Sequence, residues 1–298
     1  MSSIQSLPCY LNGEFSTIDK ANISVMDRGF IFGDGIYEVV PVYCGRPFRF
    51  AEHMGRLERS LAEIRIPNLL SREGWLDLVR QLVDRHARSI GQAPSDINQL
   101  IYIQVTRGVA MRDHAMPSDI KPTIFAMVNS LKAVSSSDLE NGVRCVSEED
   151  FRWKKAHIKS TSLLGAVLSR QISADVGATE TVMFRDGYLS EAAASNVWVV
   201  KDGKVFGPPR DNLVLEGIRY GLMAELCQQE GLPFELRKVR REEVLDADEL
   251  MLSSATKELL PVTMLDQGVV GDGKPGPVFK RLYARYQNAK ADSQQIAS

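Results

Sequence analysis

The sequence lacks the patterns that identify several large classes of protein. Its four cysteines, Cys9, Cys44, Cys145 and Cys227, lie far apart and form no CxxC pair. They are expected to be buried or incidental thiols in a reducing compartment. No apolar run approaches the roughly 18 residues that a membrane helix requires, and the polar stretch Met1–Leu7 is unlike a signal peptide. We therefore expect a cytoplasmic protein with no membrane partner.

Common ligand-binding motifs are absent as well. There is no GxGxxG or Walker A sequence for a nucleotide and no GxSxG hydrolase elbow. The four histidines show neither HxxxH nor HExxH spacing, so no histidine metal site is expected. A net charge of −2 without a basic run gives no support to nucleic-acid binding. The composition, 44% hydrophobic and 25% charged, is that of an ordinary globular protein.

The first 130 residues predict a small α+β domain. Asn12-Gly13 predicts a type I′ hairpin turn. Alternation and helical spacing predict further strands at 36–43, 47–50, 100–106 and 123–128, and helices at 52–64 and 71–91. Polar residues at 131–137 predict a linker.

Residues 138–298 predict a second, larger domain. Strands are expected at 143–147, 181–185, 188–190, 196–200, 204–206, 233–239 and 249–253. Helices are expected at 161–176, 217–230 and 277–288. The polar tail 289–298 is expected to be frayed.

Lys159 is the candidate for a reactive amine. It follows an extended run (143–146, then 151–153) and directly precedes 160–162, Ser-Thr-Ser, a cluster of helix-capping residues. A lysine at a strand-to-helix junction can be partly desolvated, as an amine that forms Schiff bases requires. The local pattern alone favours the alternative, a solvated lysine before a helix, because most lysines are solvated. Motifs further along the chain favour the reactive amine.

Four motifs in chain order resemble one family. They are Lys159 with the small residues after it, Ser190–Val197, Leu215–Ile218 and Ser254–Glu258. Over nearly the whole chain they resemble the class IV (fold type IV) aminotransferases, which use pyridoxal 5'-phosphate, and most closely the D-amino acid aminotransferases. The resemblance implies an α+β fold of two domains, with a small N-terminal α/β domain and a larger C-terminal β-barrel-like domain with flanking helices.

Pyridoxal phosphate needs a lysine, an acid beside its pyridine nitrogen, a phosphate cradle and an apolar clamp. Lys159 is the candidate lysine. Glu191, which follows a strand and precedes a small-residue turn, is the candidate acid, and an exposed loop carboxylate is its alternative interpretation. Cradle amides are expected at Gly217-Ile218 and at Ala255-Thr256, which begin a helix and a turn. The resemblance implies that Arg56, Ile218 and Thr256 bind phosphate, that Leu215 packs on the ring, and that Ser195 and Asn196 support its pyridine side.

The chain departs from the family at two places. A threonine often follows the Gly-Ile pair in relatives, where this chain has Arg219. Hydroxyl residues are usual in relatives where this chain has Ala193 and Ala194.

The segment 105–117, which contains Arg107, resembles the loop that binds the substrate carboxylate in D-amino acid aminotransferases. In that subfamily an Arg-x-His pair acts with a tyrosine from an early strand, and the matching residues are Arg112, His114 and Tyr37. Arg107 is included among the predicted substrate-binding residues as a further cation of the loop. A charged surface loop is the alternative interpretation. Because the loop reaches the partner's active site in relatives, the resemblance also implies a homodimer.

The predicted activity is ping-pong transfer of an amino group from a D-amino acid, such as D-alanine, to a 2-oxo acid, such as 2-oxoglutarate. Branched-chain and (R)-amine aminotransferases and aminodeoxychorismate lyase remain alternatives on the same scaffold. A catalytically silent binding or scaffold protein is the alternative outside enzymes, and the joint presence of Lys159 and Glu191 argues against it.

Overall fold

A computed structural model describes the backbone of residues 6–295 and the side chains of residues 6–292. The polar stretch Met1–Leu7 lies mostly outside the described residues. The chain divides into two compact units. Unit 1 holds the residues up to Lys132 together with Ile158–Leu163, and unit 2 holds Ala133–His157 and Leu164–Asp292.

Unit 1 is an antiparallel sheet with helices. The strands are β1 (Pro8–Leu11), β2 (Glu14–Thr17), β3 (Gly35–Tyr43), β4 (Arg46–Pro47), β5 (Asn98–Thr106) and β6 (Thr123–Ser130). The helices are α1 (Arg28–Phe32), α2 (Phe50–Glu63) and α3 (Arg72–Ser89). The strand order is β2-β1-β6-β5-β3-β4. The predicted hairpin turn is confirmed, since Asn12 (φ 51°) and Gly13 (φ 109°) both have positive φ and connect β1 to β2.

Alternation along β3 decides which of its side chains are buried. Ile36, Val40 and Val42 belong to the core cluster of unit 1, whose other members come mainly from β5, β6, α2 and α3. Glu38 lies at the same parity between Ile36 and Val40 and is fully buried. The sheet therefore carries a carboxylate at a core position, and a carboxylate there needs partners.

Unit 2 is built on a nine-stranded sheet in the order β12-β11-β10-β13-β14-β7-β8-β9, with β15 on β14. Its strands are β7 (Val143–Glu149), β8 (Glu180–Arg185), β9 (Tyr188–Ala192), β10 (Asn196–Lys201), β11 (Lys204–Gly207), β12 (Phe234–Leu236), β13 (Glu249–Ser254), β14 (Glu258–Leu265) and β15 (Gly268–Val269). Its helices are α4 (Ser136–Asn141), α5 (Leu164–Asp175), α6 (Arg219–Gln229), α7 (Arg241–Leu245) and α8 (Pro277–Gln295).

Several elements differ from those expected from the sequence. The predicted strand 47–50 is shorter, because β4 is Arg46–Pro47 and Phe50 already begins α2. β14 was not predicted, yet it pairs with both β13 and β7. The expected frayed tail, 289–298, is helical as far as Gln295, and its last three residues lie outside the described part of the chain. Finally, α5 begins at Leu164 and not at 161.

The hydroxyl residues before α5 form hydrogen bonds within unit 1. The side chains of Thr161 and Ser162 both donate to the carbonyl of Gly33, at 2.9 and 3.0 Å. Gly33 has a φ of 66°, and a Cβ there would lie 2.6 Å from Ser162 Oγ. These contacts belong to unit 1, so long-range packing determines the conformation of the segment after Lys159.

All four cysteines are free, and Cys9, Cys145 and Cys227 are buried. In the stretch 6–295, no helix has both the length and the apolar character to span a membrane.

Candidate functional site

Lys159 is half-buried in unit 1, in the segment that runs beside β3. Its carbonyl accepts a hydrogen bond from the backbone amide of Tyr37 at 2.9 Å, and its own amide lies 3.4 Å from Ser60 Oγ. The ammonium lies 4.1 Å from the centre of the Tyr37 ring, and this ring stacks on Tyr102. The structure thus brings together two of the predicted residues, Lys159 and Tyr37.

Arg56 is buried and paired with Glu38. Its Nε and Nη2 atoms donate to the two Glu38 carboxylate oxygens at 2.7 and 2.8 Å, and His53 Nδ1 lies 2.8 Å from the same carboxylate. Burial acts to raise the pKa of Glu38, but the charge and hydrogen bonds of Arg56 outweigh it and hold that pKa well below its usual range. The predicted phosphate cation is therefore fixed by a buried carboxylate that was not predicted.

A sequence signal for this cluster exists. Glu38 lies on the same face of β3 as the apolar Ile36 and Val40. His53, Arg56 and Ser60 recur at i, i+3 and i+7 on α2. Residues at this spacing share one helix face, and all three are buried. A polar stripe opposite a polar strand position predicts a buried ion pair.

Arg107 is buried, and its hydrogen-bond partners are a carboxylate and two backbone carbonyls. Its guanidinium donates to both Asp34 oxygens, at 2.8 and 3.0 Å, and to the carbonyls of Ile64 and Arg65. Burial opposes the shift, but hydrogen bonds from Arg107 and Arg28 keep the pKa of Asp34 below its usual value. These contacts fix Arg107 at the base of the loop, and its contact with the substrate carboxylate stays a prediction.

Arg112 and His114 are exposed, and both contact Phe32 at the end of α1. The Arg112 Cζ lies 5.4 Å from the centre of the Phe32 ring. The His114 ring centre lies 5.5 Å from the same point. Both residues of the Arg-x-His pair therefore contact one aromatic ring, that of Phe32, which was not among the residues predicted from the sequence.

Glu191 is buried near the end of β9 in unit 2. Arg152 Nη1 donates to Oε1 at 2.8 Å, and the amide of Leu215 donates to Oε2 at 3.2 Å. Arg152 is itself held by Asp150, which accepts from its Nε and Nη2 atoms at 2.9 and 3.0 Å. Burial raises the pKa of Glu191, and the Arg152 charge opposes that rise without cancelling it.

Asn196 connects Glu191 to the Leu215–Ile218 segment. Its amide nitrogen donates to the carbonyl of Leu215 at 3.0 Å and lies 3.4 Å from Glu191 Oε2. Gly217 is required by close approach, since a Cβ there would lie 2.0 Å from Asn196 Oδ1. The predicted residues Glu191, Asn196, Leu215 and Gly217 therefore form one connected group.

Ser195 belongs to a second polar cluster of unit 2. Its hydroxyl donates to Glu180 Oε2 at 3.1 Å, and Lys257 Nζ lies 2.8 Å from the same oxygen and 3.2 Å from Ser195 Oγ. Lys257 directly follows Thr256 in the turn between β13 and β14. The sequence did not predict Glu180 or Lys257, because no local pattern relates them.

The predicted cradle at Gly217-Ile218 is the start of a helix. Ile218 is the N-cap residue of α6, and its side chain makes no capping hydrogen bond. A helix N-terminus without a side-chain cap presents backbone amides and a positive dipole to an anion. Arg219, the residue that departs from the family, is buried, with its guanidinium carbon 5.7 Å from the ring centre of Tyr286 on α8.

The second predicted cradle is the turn 255–257. Thr256 is exposed at its tip, and Ala255 is half-buried. The hydroxyl of Ser254 accepts from the Lys257 amide at 3.1 Å and lies 3.5 Å from Thr256 Oγ1. Of the departures in the other motif, Ala193 is buried and Ala194 is exposed.

The donors and acceptors of unit 2 fit the pyridine and phosphate ends of pyridoxal phosphate. Glu191 offers a buried carboxylate beside Arg152, which as an anion can stabilise a protonated ring nitrogen. The uncapped start of α6 offers amides suited to a phosphate. Unit 1 carries the amine, Lys159.

Comparison with known proteins agrees with these observations. The profile of the family "Amino-transferase class IV" matches residues 35–265. A D-alanine aminotransferase of Staphylococcus haemolyticus is 38% identical over 274 residues, which cover 92% of this chain and 94% of that protein. A D-alanine aminotransferase of Bacillus licheniformis is 34% identical over 278 residues, which cover 93% of this chain and 95% of that protein.

Solved structures share the fold. The T.th. branched-chain amino acid aminotransferase with pyridoxamine 5'-phosphate has a TM-score of 0.86 at 20% identity, covering 97% of this chain and 96% of that one. The branched-chain amino acid aminotransferase of Escherichia coli has a TM-score of 0.82 at 22% identity, covering 95% and 94%. The predicted fold type IV, α+β class is thereby confirmed. The chain belongs to the class IV aminotransferase family.

Proposed function

We propose that the chain is a pyridoxal-phosphate-dependent D-amino acid aminotransferase. It transfers the amino group of a D-amino acid such as D-alanine to a 2-oxo acid such as 2-oxoglutarate. The observation that carries the proposal is the Arg-x-His pair, Arg112 and His114, gathered on one aromatic residue. D-alanine aminotransferases at 34–38% identity over more than nine tenths of the chain support it.

When bound, pyridoxal phosphate supplies an electron sink for the charge that develops at the substrate Cα. Lys159 holds the cofactor and moves the proton at Cα, as base and then as acid. Its neighbour Tyr37, 4.1 Å from ring centre to ammonium, restricts the directions in which the amine can point. Tyr37 also serves with Arg112 and His114 to bind the substrate carboxylate.

As an anion, Glu191 would accept a hydrogen bond from a protonated pyridine nitrogen and so favour the proton on the ring. Burial raises the pKa of Glu191 and favours its neutral form, whereas the Arg152 guanidinium opposes that rise and favours the anion. Arg152 keeps the carboxylate oriented, and Asn196 orders the segment that carries Leu215 against the ring. Arg56, Gly217, Ile218, Ala255 and Thr256 hold the phosphate, and Ser195 supports the pyridine side through Glu180.

Assembly as a homodimer is part of the proposal. In unit 1, exposed apolar side chains surround the loop that carries Arg112: Val25, Phe30, Val109, Met111 and Met116. In unit 2, α5 exposes Leu164, Val167 and Leu168, whereas its Ser169 and Ser173 are buried. Exposed apolar groups of this extent are typical of interaction surfaces, and sedimentation analysis would give the mass. The separated, free cysteines support a cytoplasmic location.

The test is the visible absorption spectrum of the purified protein before and after D-alanine, with L-leucine in a parallel cell. We expect the band of the bound cofactor to change with D-alanine and not with L-leucine. Lys159→Ala should lose that band and nearly all turnover. A response to L-leucine alone would favour a branched-chain aminotransferase and refute the substrate assignment. Full activity of Lys159→Ala, or no band after pyridoxal phosphate is added, would refute the cofactor assignment.

A further inference from the structure

We propose that Phe32 is a positioning residue for the substrate carboxylate. Its ring holds Arg112 and His114 as a pair. This inference rests on the proposed function, because it concerns the same two residues. It assigns a role to a side chain that neither the sequence motifs nor the family resemblance selected.

Three side chains converge on the Phe32 ring. The guanidinium carbons of Arg28 and Arg112 lie 4.7 and 5.4 Å from its centre. The His114 ring centre lies 5.5 Å away, with the two ring planes inclined at 42°. The face of an aromatic ring carries a negative quadrupole, so it attracts a guanidinium and, when protonated, an imidazolium.

The loop backbone is fixed beneath the ring. Arg28 Nη1 donates to the carbonyl of Asp113, the residue between the pair, at 2.5 Å. Its Nε atom donates to Asp34 at 2.8 Å, and Asp34 also binds Arg107 at the start of the loop. The amide of Arg28 donates to the carbonyl of Gly108 at 2.9 Å. One arginine therefore joins α1 to both the beginning and the middle of the loop.

The helix that presents Phe32 is also fixed at its start. Asp27 caps α1 by accepting from the amide of Gly29 at 2.8 Å, and its other oxygen accepts from Thr123 Oγ1 at 2.7 Å. Asp27 is buried, as is Arg28. The ring is thus carried by a rigid base, whereas the two residues it contacts are exposed.

Long exposed side chains sample many rotamers, and this freedom is lost when a ligand binds. A ring that restricts Arg112 and His114 before binding removes part of that loss and strengthens carboxylate binding. An aliphatic residue would occupy similar space but would not attract a cation. The inference therefore predicts a specific need for an aromatic ring at position 32.

The experiment uses the full-length holoenzyme with D-alanine. Phe32→Leu and Phe32→Met should raise KM about 3- to 10-fold, with kcat within about twofold of the wild type. Phe32→Tyr, which keeps the ring, should retain a KM close to the wild-type value. Far-UV circular dichroism and cofactor content would establish that each variant is folded, and a second aliphatic variant replaces any that is not.

Arg112→Ala provides the control. In that background, Phe32→Leu should change KM by a clearly smaller factor, because one of the two groups held by the ring is already missing. If the wild type is active, any one of three results would overturn this inference alone. The first is an unchanged KM in Phe32→Leu, and the second is an equal rise of KM in Phe32→Tyr and Phe32→Leu. The third is a KM in the double variant that equals the full product of the two single effects. A wild type without D-alanine turnover would overturn the proposed function, and this inference with it.

Discussion

Glu38 in unit 1 and Glu191 in unit 2 are both buried carboxylates with an arginine partner, but their pKa values are shifted in opposite directions. Glu38 receives two hydrogen bonds from Arg56 and a third contact from His53. Glu191 receives one from an arginine that also binds Asp150. The pKa of Glu38 is held well below its usual range, whereas burial raises that of Glu191.

The difference shows that burial does not determine the role of a carboxylate. Burial alone favours the neutral acid in both places. A full bidentate pair reverses this effect at Glu38 and makes the group a permanent anion suited to holding Arg56. An arginine shared with Asp150 offsets burial only in part at Glu191, so its anion would be stabilised further by a positive partner such as a protonated ring nitrogen.

Glu191→Gln should lower kcat with D-alanine by about 100- to 1000-fold, the range found when one charge-stabilising group is removed from an active site. The glutamine keeps the shape of the side chain but cannot retain the ring proton. Steady-state kinetics would measure the effect. The matched control is Glu249→Gln, since Glu249 is a buried carboxylate that binds the amides of Val278 and Phe279 at the start of α8. Equal losses of kcat in the two variants would argue against a chemical role for Glu191.

Glu38→Gln should lower the free energy of unfolding by about 3 kcal/mol, because it removes the buried anion that balances the charge of Arg56. Glu191→Gln should lower the free energy of unfolding by less. Arg152 still has Asp150 as a charged partner, and the substitution removes a carboxylate whose anion burial destabilises. Urea unfolding of the cofactor-free variants at neutral pH would compare them. A larger loss in Glu191→Gln would contradict the contrast between the two carboxylates.

The two variants should also differ in their dependence on pH. Because the folded pKa of Glu38 lies below its ordinary value of 4.5, its stabilisation is present above pH 4.5 and is lost progressively as the pH falls below it. Because the folded pKa of Glu191 lies above 4.5, its contribution is present below pH 4.5 and is lost as the pH rises through the folded pKa.

The cost of Glu38→Gln should therefore shrink on acidification below pH 4.5, and Glu191→Gln should become more stable relative to the wild type as the pH rises above 4.5. Urea midpoints for both variants between about pH 3.5 and 7 would measure these trends. Parallel pH profiles for the two variants would remove the distinction.

Local secondary structure and motif residues could be predicted from the sequence. Ion pairs between residues that are far apart along the chain could not. Asn12-Gly13 specifies its turn through two positive-φ positions. Glu38 and Arg56 were not paired, because 18 residues separate them and only the packing of α2 on β3 brings them together. Likewise Lys257 meets Glu180 across 77 residues.

Some residues have partners in the folded chain that the local sequence does not predict. Arg107 is used by Asp34 and two carbonyls at the base of the loop. The hydroxyls of Thr161 and Ser162 bind Gly33 in place of a helix end. In each case a long-range acceptor competed successfully with the local interaction that the sequence suggests.

Family membership, the α+β fold and the reactive-amine candidate Lys159 follow from the sequence, because motif order, turn residues and hydrophobic periodicity are properties of the chain itself. Burial and long-range geometry decide three other features. These are the pairing of Arg56 with Glu38, the raised pKa of Glu191, and the contact of Arg112 and His114 with Phe32. The charge state of a side chain depends on its desolvation and on its neighbours. Only the folded chain specifies either of them.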